Sequence, residues 1–181
     1  PTGPASTRSS CRSQGASSRR RRSTFASDGA GNSLQAVERS FFHQVLDVFE
    51  GMVSGEVDGE VHATAHRRGL KVWLDEATRE HYEAQLIRLD GEAALEIGFH
   101  AEYPKVAEND AVLDRLLAHE STWRKELGDE PVAGEFLGAD RWRRISETWA
   151  PPDPDDVDAA IEVAARLADY VSVIEPVRRT G

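Results

Sequence analysis

Apolar residues recur along this chain with two different periods. After Ser33, a residue type suited to capping a helix, Leu34, Val37, Phe41, Val45 and Val48 follow at steps of three and four, and Gly51 stands where such a run ends. This spacing predicts a helix. Gly55, Asp58 and Gly59 then interrupt the chain. Beyond them Val61, Ala63 and Ala65 alternate with His62, Thr64 and His66, the chain turns at Arg67 to Gly69, and Leu70 to Leu74 supplies a return strand. Residues 60–74 are therefore predicted as a hairpin.

The strongest signal lies further on, where residues 81–89 and 92–100 flank Asp90-Gly91, a dipeptide suited to a two-residue hairpin turn. Such a turn sets Leu89 opposite Glu92 and so defines every other pair. Tyr82 then faces Phe99, Ala84 faces Ile97 and Leu86 faces Leu95, all apolar. On the other face His81 meets His100, Glu83 meets Gly98 and Gln85 meets Glu96. A slip of one residue would destroy this sorting.

After Pro104, the apolar positions from Val106 to Leu127 predict a second helix that ends at Gly128. Residues 129–141 read as a loop, and Trp142 to Trp149 as a strand. Asp153-Pro154-Asp155-Asp156 forms a helix start, followed by Val157, Ala160, Ile161, Ala164, Leu167, Val171 and Ile174, with a stop before Pro176. Tight turns make the strands antiparallel, and three helices can cover only one side of a small sheet. The predicted fold is an α+β two-layer sandwich, with a mainly antiparallel sheet of about five strands and helices on one face. The other face is expected to meet water.

Charge divides the 181 residues in two. Residues 1–33 hold six arginines and one aspartate, a net charge of +5, with Phe25 as the one large apolar residue. They are expected to be disordered. The chain opens at Pro1, and a native tail, a targeting segment and a misassigned start all stay open as readings of this segment. Residues 34–181 hold 16 basic and 31 acidic residues, a net charge of −15, and are expected to form one domain. The single cysteine, Cys11, rules out a disulfide framework or a multi-cysteine zinc site, and a cytoplasmic location is the expectation. No apolar run has the length of a membrane span, so no membrane partner is expected.

The candidate chemistry gathers on the polar side of the Asp90-Gly91 hairpin. His81, Glu83, Gln85, Glu96 and His100 share that face, with directly opposed Cβ atoms about 4.5–5.5 Å apart. Two imidazoles and two carboxylates in that arrangement suit a divalent ion, with His81 and His100 as nitrogen ligands and Glu83 or Glu96 as oxygen ligands. They also suit proton transfer or small-ligand binding, and a plain solvated face accounts for them as well. His62 and His66 lie about 13 Å apart along one strand, too far to share an ion, and are expected at the surface. Arg143 and Arg144, beside Trp142, form the basic and aromatic cluster of the acidic domain. They are expected to pair with Glu83 or Glu96, and the domain's negative charge argues against nucleic acid as its partner.

Arg79 to Gln85, Leu95 to His100 and Trp142 to Trp149 together resemble a group of uncharacterised bacterial proteins, over roughly residues 60–175. That resemblance implies a small cytoplasmic α+β domain and no particular substrate. The chain is also distantly similar to the restriction-endonuclease-like superfamily, which implies a metal site built from an acid and a Glu-x-Lys pair. Asp75 and Glu83-Ala84-Gln85 are the positions in question, and Gln85 stands where the lysine belongs. The leading functional expectation is a binding module that holds an unidentified protein or small ligand on the open face, around Trp73, Glu83, Gln85, Glu96 and His100, without a cofactor. The alternative is a metal-dependent hydrolase or nuclease-like enzyme using His81, Glu83, Glu96 and His100. Mimicry of DNA by the acidic surface is a third reading.

Overall fold

In the computed structural model, residues 29–180 are described, with side chains from Phe41 onward. The elements are α1 (Gly29–Val53), β1 (Val61–His66), β2 (Gly69–Leu74), β3 (Glu80–Leu89), β4 (Glu92–Ala101), α2 (Val106–Leu117), α3 (Glu120–Leu127), β5 (Val132–Phe136), β6 (Ala139–Trp149) and α4 (Val157–Arg179). The strands form one open antiparallel sheet in the order β1-β2-β3-β4-β6-β5. Against one face, α1 packs on β1 and β2, α4 on β3 and β4, and α2 on β6. This is the α+β two-layer arrangement, with six strands rather than five.

The core lies between the helices and the apolar side of each strand. Phe41, Phe42, Val45 and Phe49 of α1 and Leu167, Tyr170, Val171 and Ile174 of α4 meet Val72, Tyr82, Ala84, Leu95, Ile97 and Phe99, all of them buried. The Asp90-Gly91 hairpin has the pairing that alternation demands, from Glu80 opposite Ala101 to Leu89 opposite Glu92. Asp90 and Gly91 both have positive φ, 52° and 89°, as the favoured two-residue turn requires.

Four local expectations need correction. The first helix begins at Gly29 and runs past Gly51 to Val53, so Ser33 lies within it; the rest of the segment expected to be disordered is outside the described residues. The second helix is two helices, broken at Ala118 and His119. Trp123, fully buried, donates its indole N–H to the Leu116 carbonyl at 3.0 Å, and the same carbonyl accepts the His119 N–H at 3.1 Å, so the break is bridged by backbone and side chain together. Residues 129–141, expected as a loop, contain β5 and the start of β6. Finally, α4 continues through Pro176 to Arg179, and Val157 and Ile161 lie exposed at its other end. Its last turn is anchored from outside the helix ladder: Arg178 and Arg179 both bind Glu175, Arg178 also reaches Glu80, and Arg179 binds Asp75. Those contacts offset the N–H that proline lacks.

Candidate metal centre

The helix-free face does not meet water at its middle. His81, Glu96 and His100 have no exposed surface, and Glu83 is only 8% exposed. Their strands are the two central ones, and side chains from the outer strands close in on them. From β1, His66 Nε2 lies 3.2 Å from Glu83 Oε1. From β5, the Phe136 ring packs edge-on against His100, centroid to centroid 4.8 Å, and Trp142 of β6 packs on Phe136 in turn. Alternation assigns these side chains to the face without helices; it does not make that face wet.

Within this pocket of side chains three ligating groups converge. His81 Nε2 lies 3.6 Å and His100 Nδ1 lies 3.7 Å from the same oxygen, Glu83 Oε2. All three ligating atoms fall within 4.8 Å of one another. A tetrahedral zinc-class ion with bonds near 2.0–2.1 Å needs its ligands about 3.3 Å apart, so a shift of a few tenths of an ångström suffices for two of the three pairs. The two imidazoles meet edge to face, 5.3 Å between centroids. Among the described residues, neither nitrogen of His81, nor Nδ1 of His100, has a hydrogen-bond partner although all three are buried. Buried polar atoms left in that state are rare and costly.

The surrounding contacts hold the ligands in place. His100 Nε2 donates to Glu96 Oε1 at 2.8 Å, and Gln85 Nε2 donates to Glu96 Oε2 at 3.3 Å. With Nε2 protonated for Glu96, Nδ1 is the nitrogen turned toward Glu83. A carboxylate orienting a histidine through its far nitrogen is a common support for a metal ligand. Gly98, opposite Glu83 on β4, brings β6 in close: a Cβ there would collide with Ser146 and with the Ile145 carbonyl. Glu102, just past the end of β4, places Oε1 3.9 Å from His81 Nε2.

Electrostatics separate the two histidines. Burial lowers the pKa of His81 and keeps it neutral, ready to donate a lone pair, although Glu83 opposes the shift. Burial also works against a charged His100, but Glu96 and Glu83 outweigh it and push its pKa up to about 10. Glu83 and Glu96 are likewise subject to burial, which favours their neutral forms, yet the imidazoles hold both below the ordinary glutamate value. Two anionic carboxylates therefore face two imidazoles, of which only one carries a proton's charge. A dication replacing that proton would cancel the pair of negative charges.

The other candidate residues fall in several places. Trp73 is on the helix-free face of β2, one position beyond the Val72 and Tyr82 pair, where it stacks on His62 at 5.5 Å and 18°. Arg143 and Arg144 pair with neither Glu83 nor Glu96. Arg143 turns to the helix side and binds Asp110 of α2 at 2.6 Å. Arg144 stays on the helix-free face but binds the Ser146 hydroxyl, 2.6 Å, and the Glu135 carbonyl, 3.2 Å. Asp75 is committed to Arg179 and to the Glu60 N–H, and Gln85 to Glu96, so the endonuclease-like arrangement does not assemble. His66 is exposed, as expected, yet reaches Glu83; Glu102 and Phe136 were not singled out by the sequence. Adding the register of β1 on β2 to that of β2 on β3 brings His66 beside Gln85, two residues from Glu83 on the same face, and could have revealed its contact with Glu83.

Comparison with protein-family models, curated proteins and solved structures gives no match. Among the described residues, no helix is long and apolar enough to cross a membrane.

Proposed function

We propose that this domain binds one divalent transition-metal ion through His81 Nε2, His100 Nδ1 and Glu83 Oε2, with Glu96 orienting His100. The observation that carries this reading is the set of three buried imidazole nitrogens without partners, two of them aimed at one carboxylate oxygen. Imidazole and carboxylate together suit zinc and its neighbours better than calcium or magnesium, which prefer oxygen ligands. Residues with no exposed surface cannot touch a partner protein, so capture of one through Glu96 and His100 forms no part of this proposal. The full chain, loaded with Zn²⁺ and then dialysed, should retain about one ion per chain in elemental analysis. His81→Ala and His100→Ala should each lose it, with the fold retained by circular dichroism. Wild-type protein that keeps no ion contradicts the proposal.

A metal-assisted hydrolase is the second reading, favoured by one observation. Three protein ligands leave a fourth position, and Glu102, partly exposed, lies beside His81 where it could take a proton from a metal-bound water. Glu102→Gln should then keep the ion but lower metal-dependent hydrolysis of a p-nitrophenyl ester by about 10²-fold or more. Equal rates in the two proteins would remove the hydrolytic reading and leave metal binding standing.

A further inference from the structure

Arg144 poses a separate question. It is only 7% exposed on the helix-free face of β6, yet among the described residues no carboxylate lies within ion-pair distance of its guanidinium. Nε donates to the Glu135 carbonyl, and Nη1 to the carbonyl and hydroxyl of Ser146. Among the described residues, Nη2 hydrogen-bonds to no protein atom. Burial lowers the pKa of this group, with Glu96 opposing, as befits a cation short of counter-charge. Keeping a cation out of water without a direct anionic partner is expensive.

A cavity of about 320 Å³ opens beside it. That volume falls within the range of small-molecule sites. Beyond Arg144 and Thr148, its walls include the apolar side chains of Leu89, Val132, Leu137 and Trp149. Two acids also line it. The Glu147 carboxylate is already bound by Arg166 at 2.7 Å and by the Tyr170 hydroxyl, so its charge is answered on the helix side. Glu130 is exposed, where solvent and salt screen it.

From the unspent Nη2 group and this apolar lining we infer that the cavity is a binding site for a small organic carboxylate, whose anionic end pairs with Arg144 and whose hydrocarbon body fills the space between Leu89, Val132 and Leu137. A carboxylate oxygen can accept a charge-assisted hydrogen bond from Nη2, and Nε and Nη1 are fixed by backbone and Ser146, so the group is held in position before a ligand arrives. This site does not depend on the metal reading.

The test is a titration of the full chain with acetate, butyrate and inorganic phosphate, in the presence of a chelator so that no carboxylate can bind through an ion. The readouts are calorimetry and the Trp149 indole N–H resonance, which borders the cavity. Butyrate should bind one to one and about tenfold more tightly than acetate, because each added methylene buries apolar surface. Arg144→Lys keeps the charge but loses the planar group that fixes the Nη2 donor, and should weaken butyrate by about tenfold. Val132→Trp, at an exposed position, fills the cavity without touching Arg144 and should abolish binding. No saturable binding of butyrate, butyrate affinity unchanged in both variants, or phosphate binding as tightly as butyrate would each overturn the inference.

Discussion

Gly98 shows how a single residue shapes the helix-free face. It sits opposite Glu83 and beside Ser146, and both Ser146 and the Ile145 carbonyl occupy the space a side chain would need. Gly98→Ala should therefore cost about 1–3 kcal/mol, as overpacking of a filled interior does, and this is measurable as a lowered denaturant midpoint. It should also loosen the metal, since β4 carries His100 two residues on. An alanine variant of wild-type stability would show that β6 can move aside. At this scale the sequence is informative but incomplete. It reveals which side chains share a face with His81 and His100, because alternation allows no other arrangement. It does not reveal that they are buried, because burial there depends on Phe136 and His66, which belong to other hairpins.

Among the elements, the central hairpin was the most legible. A two-residue Asp90-Gly91 turn and two cleanly alternating runs leave one register, and the structure has that register over all ten pairs from Glu80–Ala101 to Leu89–Glu92. Elements held by tertiary contacts were harder to read. The strand β5 is short, contains Gly134 and leaves Val132 exposed, so its sequence carries little strand signal; its pairing with β6 makes it a strand. The proline in α4 reads as a stop, yet Arg178 and Arg179 hold the last turn through Glu80, Glu175 and Asp75. The break between α2 and α3 has no glycine or proline to announce it. There the Leu116 carbonyl accepts both the His119 N–H and the Trp123 indole N–H. Trp123→Phe keeps most of the apolar bulk but removes one of the two hydrogen bonds to that carbonyl, leaving the His119 N–H at 3.1 Å, and should destabilise the protein by about 0.5–1.5 kcal/mol in urea unfolding. A change well below that range would show that the His119 N–H alone satisfies the carbonyl.

Across the whole molecule the two faces of the sheet have different work. The helix-covered face holds the core and several acid–arginine pairs, such as Glu147 with Arg166, that tie α4 to the strands. The helix-free face gathers the imidazole and carboxylate cluster at its centre and the Arg144 cavity toward the β6 and β5 edge. Ser146 and Glu96 lie between them, Ser146 accepting from Arg144 and Glu96 from His100. The acidic composition of residues 34–181 fits a domain that attracts cations, but composition alone names no site. The most direct measurement is a long-range ¹H–¹⁵N spectrum of the histidine rings in the full chain, recorded before and after one equivalent of Zn²⁺. The account predicts that His81 Nε2 and His100 Nδ1 shift to metal-bound values while His100 Nε2 keeps its proton for Glu96. Ring-nitrogen resonances of His81 and His100 that stay unchanged by zinc would contradict it.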